Sequence, residues 1–175
     1  MPKQSHNFWN FSVKFYSSKD VAEACLELQE EFGLDINLLL FCLWFSKNHG
    51  ELGDELLRDV WQFSYQWKKE VVQPLRSVRK WMKASSIAIR KEQREQFSQL
   101  REDIKTKELE AEKFQQIAIE TLTKESSKPK LQRREEEKLV RINLLKLFHI
   151  HSIDQIAWES SNLDTVIEAF RQHSD

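Results

Sequence analysis

Three glycines and three prolines are all that punctuate 175 residues. A β-sandwich or an α/β fold needs a turn roughly every dozen residues, and turns draw on those two residue types, so the chain reads as all-α. Eleven Phe and six Trp supply the material for a core, and 40% hydrophobic against 31% charged residues is far from a disordered polyelectrolyte. Every Trp except Trp158 precedes residue 82. The expected core is therefore N-terminal.

Periodicity sets the expected elements. FWNFSVKFY puts Phe8, Phe11 and Phe15 on one helical face, and Val21, Cys25, Leu28 and Phe32 mark the next helix, closed by Gly33. Asp35 is placed to cap INLLLFCLWFSKNHG, which is apolar nearly all round and so predicts a central helix. Asn37 is its conspicuous exception, a buried amide that must find partners. Leu56, Val60, Phe63 and Trp67 begin a stripe that continues as Val71, Leu75, Val78 and Met82, so a helix kinked at Pro74 but continuing past it is expected.

After Ser86 one narrow seam remains, Phe97, Leu100, Ile104, Ala111, Phe114 and Ala118, interrupted at Lys107 and resembling a coiled-coil stripe. SSKPK, residues 126–130, breaks the pattern before a helix with Leu139, Ile142 and Leu145 inward. The expected organisation is an aromatic-rich helical core over 6–84, a long charged helix over 86–124 packing on or projecting from it, and a C-terminal helical tail over 125–175. In outline this is a compact helical bundle followed by a long amphipathic helix that folds back as an αα-hairpin.

The longest apolar run, Leu38 to Phe45, falls far short of the roughly 20 residues that span a bilayer. No cleavable signal fits the start, and Cys25 and Cys42 are the only cysteines, so reduced thiols, a cytoplasmic address and no membrane partner are expected. Three isolated glycines exclude a phosphate loop, and His6, His49, His149, His151 and His173 are too scattered for a metal site. Both cysteines lie on apolar stripes, where the thiol acts as a small hydrophobe. No catalytic residue, metal or cofactor is assigned.

Charge is segregated. From Ser18 to Asp59 three basic residues face ten acidic ones, a balance of −7, and from Lys68 to Arg94 nine basic residues face two acidic ones, a balance of +7. At about 100° per residue, Lys69, Arg76, Lys80 and Lys83 share a solvent face, with Arg79 beside them. The leading expectation is a non-enzymatic interaction or regulatory module that presents this basic helix face and an acidic lobe to a protein partner. A small helical enzyme or ligand carrier, with a pocket in the aromatic core anchored by Asn37 and an arginine, is the alternative. RNA or ribosome association is a third reading, and the thin seam leaves self-association through the long helix open.

Three blocks, "CLELQEEFGLDINLLLFCLWFS", "WKKEVVQPLRSVRKWMK" and "QLREDIKTKELEAEKFQQ", resemble in order and spacing a family of short cytosolic proteobacterial proteins known only as a domain of unknown function. The resemblance spans about Phe8 to Thr121 and implies a small all-helical protein without naming an activity, cofactor or partner. Gln29, Asp35, Asn37, Trp67, Pro74, Arg76, Arg79, Glu108 and Glu112 match the family's distinctive polar and aromatic positions. Among them Gln29, Asp35, Asn37, Glu108 and Glu112 are candidate polar anchors. Arg76 and Arg79, three apart on a helix, can jointly hold a carboxylate or phosphate from a partner, or pair internally with Glu108 or Glu112.

Overall fold

Helix α3 (Ile36–Asn48) buries every residue from Leu38 to Ser46, with four other helices packed against it. In this computed structural model residues 7–85, 88–123, 133–153 and 155–172 are described, and no strand occurs among them. The break expected at 126–130 lies outside the described residues, as do His6 and His173. Asp35 starts α3 by accepting the Asn37 backbone N–H at 2.9 Å. The preceding α2 (Lys19–Phe32) closes on Gly33 at φ 68°, a left-handed conformation natural to glycine.

Helix α1 (Asn7–Tyr16) lays Phe8 and Phe15 into the core, and α4 (Asp54–Trp67) adds Leu57 and Val60. Chain direction then survives Pro74 through a single π-turn, Lys68–Val72, that leads into α5 (Gln73–Ser85). Proline has no N–H and crowds the carbonyl four residues back, here that of Glu70; the wider turn, in which the Gln73 N–H bonds to the Lys68 carbonyl, relieves both problems. The extra residue in that turn changes the phase of everything beyond it. Val72 and Met82 (4% exposed) point inward, while Val78, expected on the inner stripe, is 46% exposed.

A short 3-10 turn, Lys91–Gln93, leads into α6 (Arg94–Leu122), which packs on α5, α4 and α1. Its buried residues are Glu108, Ala111, Gln115, Gln116 and Ile119. The apolar seam expected from periodicity is only partly inside: Leu100 and Phe114 are exposed, although the Phe114 ring lies 4.8 Å from Trp67. The Trp67 indole N–H donates to the Ala111 carbonyl at 3.0 Å, fixing α6 against α4.

Helix α7 (Arg133–Ile150) packs chiefly on α3, and α8 (Ser161–Gln172), after a 3-10 turn over Gln155–Glu159, packs on α2. The core is consequently wider than the aromatic front half: Val140, Leu144 and Leu147 from α7 and Val166, Ile167 and Phe170 from α8 join Phe8, Phe15 and Phe41 in one cluster. The inward phase of α7 is also one residue off that expected, with Leu145 51% exposed. Asn143 decides it. Fully buried, its amide donates to Ser46 Oγ (2.8 Å) and the Gly50 carbonyl (3.0 Å) and accepts from the Leu52 N–H (2.8 Å). Those bonds satisfy a group whose burial would otherwise be costly, and they override the apolar preference of Leu145. Among the described residues no helix is long and apolar enough to cross a membrane.

Candidate functional site

The phase change at the π-turn turns Arg76 and Arg79 away from the solvent strip and toward α6, which is the internal pairing with Glu108 and Glu112 that stood as the other expectation for them. Arg76 Nε donates to Glu108 Oε1 at 2.8 Å and Nη2 to Glu112 Oε1 at 2.6 Å, while Nη1 reaches Gln29 Oε1 at 3.4 Å. Arg79 holds the same Glu108 carboxylate through Nε and Nη2. Lys69, Lys80 and Lys83 stay exposed.

This cluster forms one wall of a cleft of about 510 Å³ that α1, α2, the start of α3 and α6 complete. One turn further along α6, Asn37 bridges two of its side chains. Its Nδ2 donates to Gln115 Oε1 at 2.8 Å, and its Oδ1 accepts from Gln116 Nε2 at 2.7 Å. Asp35, besides capping α3, lies 3.7 Å from Lys68 Nζ. The lining carries Lys68, Arg76, Arg79 and Lys80 against Glu30, Asp35, Glu108 and Glu112, so its formal charge balances. Val13, Leu26 and Leu109 give it an exposed aliphatic edge.

A scan of family models matches residues 7–119 to a protein family of unknown function, DUF2390. The chain belongs to the DUF2390 family. No curated protein and no solved structure matches it. Every residue lining the cleft falls within the DUF2390 segment, whereas α7 and α8, which complete the core, lie beyond it.

Within the DUF2390 cleft the two glutamates on Arg76 are driven apart. Burial pushes the Glu108 carboxyl up, but hydrogen bonds from Arg79 and Arg76 outweigh it and hold the group below the usual glutamate value. Glu112 is raised, first by burial and then by the neighbouring Glu108 and Asp35 carboxylates, against which Arg76 is an incomplete counterweight. Tyr16, also in the lining, is pushed up to about 12 by burial, with Cys25 and Glu112 adding to it. Of the two, Glu112 is the easier to protonate and Glu108 the harder.

Gln29, Asp35, Asn37, Arg76, Arg79, Glu108 and Glu112 all reach this one cleft. Lys80 lies at its edge, while Lys69 borders a second hollow. Ser12, Tyr16, Lys68, Gln115 and Gln116 were not singled out from the sequence. The signal for the two glutamines was spacing: a step of four from Glu108 to Glu112, then of three to Gln115 or four to Gln116, keeps to one line of α6.

The second hollow, of about 390 Å³, opens between α4, the α2–α3 turn and the end of α7, with Trp61, Tyr65 and His151 in its lining. It shares Asp35 and Lys68 with the first, so their ion pair stands in both walls. Burial holds the His151 imidazole below its usual value. Cys25 and Cys42 are free and wholly buried, and burial raises both thiols. Among the described residues no cluster of three or more His, Cys, Asp or Glu could hold a metal.

Proposed function

We propose that the chain is a small-molecule binding protein, a ligand carrier or the binding half of a small helical enzyme, whose ligand lodges in the cleft between α1, α2, α3, α5 and α6. The observation that carries this reading is the convergence of Arg76, Glu108, Glu112, Asn37, Gln115 and Gln116 on one space of about 510 Å³. That size lies within the range of ligand sites, roughly 300 to 1,000 Å³. The arginines that a phosphorylated or acidic partner would need are already held by Glu108 and Glu112, which favours the cleft over the basic strip.

The test is a fragment screen by NMR on the isotopically labelled full chain, repeated on Leu26→Trp, which fills the exposed edge. Shifts confined to Trp9, Tyr16 and the α6 amides, lost in the variant, are expected. Fragments that leave those signals unmoved in the wild type would overturn the reading.

A second reading keeps the outer face of α5 as a docking surface for a protein partner. Trp81 is 65% exposed between Lys80 and Lys83, and an indole left in water beside ammonium groups is a common anchor at interfaces. Capture of a partner by wild type but not by Trp81→Ala supports it, and an unchanged partner set removes it. Retention on RNA that weakens steeply with salt would instead indicate the nucleic-acid reading.

A further inference from the structure

Resting on the cleft-binding reading, we infer that the inner end of the cleft recognises a neutral amide-type group, such as a carboxamide, a lactam or a cyclic imide, through Gln115, Gln116 and Ser12. Gln115 is 1% and Gln116 3% exposed, which makes them among the most buried side chains of α6. Asn37 takes up one end of each amide. The other ends, Gln115 Nε2 and Gln116 Oε1, have no hydrogen-bond partner and no contact with solvent, and the same is true of Ser12 Oγ. All three residues line the same cleft.

Turning the three amides over does not remove the deficit. The roles of Gln115 and Gln116 are exchanged, and one donor and one acceptor are still left over. A buried polar atom without a partner is destabilising, and apolar side chains at these two positions would avoid the cost, so the tie to Asn37 does not account for the unpartnered ends. The terminal torsion of glutamine is broad, so a small rotation carries each free end toward an arriving group. What satisfies a donor and an acceptor together is a planar group carrying a carbonyl and an N–H.

Charge narrows the class further. The cleft is formally neutral, and Arg76, Arg79 and Lys68 already hold Glu108, Glu112 and Asp35. Lys80, the remaining cation of the lining, is exposed at the cleft edge, so beside Gln115 and Gln116 a carboxylate or phosphate would have to draw a cation off its partner, whereas a neutral group does not. The aliphatic edge at Val13, Leu26 and Leu109 suits an apolar flank on the same ligand.

The experiment compares rings of one size on the full chain: 2-pyrrolidone, which has the carbonyl and the N–H, cyclopentanone, which lacks the N–H, and acetate as a charged control. Affinity is read from the side-chain amide signals of Gln115 and Gln116. The lactam is expected to move them and to bind at least about tenfold more tightly than the ketone, because a site built around a hydrogen bond rejects the analogue that lacks it. Ser12→Ala is expected to weaken lactam binding while leaving the fold intact, since it removes only an unmatched hydroxyl. Equal binding of cyclopentanone and 2-pyrrolidone within the cleft would overturn the amide inference and leave the cleft reading standing. If no probe, the acetate included, perturbs any cleft signal, both fall.

Discussion

Glu108 and Glu112 stand one turn apart on α6 and touch the same guanidinium, yet their replacement should have opposite effects. Glu108 supports two arginines from a nearly buried position. Glu108→Gln leaves a half-buried positive charge undercompensated and is expected to cost about 2 to 4 kcal/mol near neutral pH. Because the folded protein holds this carboxyl below its ordinary value, its contribution is present above that value and is lost as pH falls through the lowered one. Urea titrations of wild type and variant should accordingly converge in acid. Glu112 runs the other way. Its folded value is raised, so the wild type is favoured while the carboxyl is protonated and loses stability as pH climbs from the ordinary 4.5 through the raised value. Glu112→Gln keeps an acceptor for Arg76 without the charge. It should therefore gain on wild type as pH rises above the ordinary 4.5, and a variant that loses ground as pH rises from there would contradict the account.

At the level of elements, the π-turn before Pro74 re-aims α5 and so builds the charged wall of the cleft. The matching expectation is a contrast between two positions that an unbroken helix would treat alike. Met82→Ala should cost about 2 to 3 kcal/mol, while Val78→Ala should stay within about 0.5 kcal/mol; equal losses in thermal unfolding would contradict the re-phased helix. The same turn explains why the stripe Val71, Leu75, Val78 and Met82 was only partly legible in the sequence, since periodicity assumes an uninterrupted period. Helix α3 was legible because it is apolar on every side, and Gly33 and Asp35 announced its start by their chemistry. Helix α6 was legible as a helix but its inner line was not, because pattern reading equates buried with apolar, whereas Glu108, Gln115 and Gln116 are buried beside Ala111 and Ile119 through partners on α3 and α5. Asn143 misled for the same reason: bonds from the 50–52 loop set the phase of α7, and no local pattern encodes them.

For the whole molecule, the consequence is a core that does not end where the family match does. Phe170 of α8 and Leu144 of α7 are sealed among the aromatics of α1 and α3. A fragment of residues 1–123, which holds the complete cleft lining, is expected to lack a cooperative thermal transition, and sharp unfolding of that fragment would show that α7 and α8 are dispensable. Phe170→Ala in the full chain should cost about 3 to 5 kcal/mol, read from denaturant midpoints. The sequence hid this dependence because the tail has a single tryptophan and the apolar residues of α7 lie nearly all round it, while the clean stripe Leu163, Val166, Ile167 and Phe170 of α8 does not say which helix it faces.

The two cysteines supply a natural stopwatch. Cys25 and Cys42 sit wholly inside α2 and α3, and a buried, protonated thiol does not react. A thiol reagent in excess is thus consumed only when one of these helices lifts from its neighbours, so the pace of modification times that breathing residue by residue. Any solute that lodges between α2, α3 and α6 has to slow the clock.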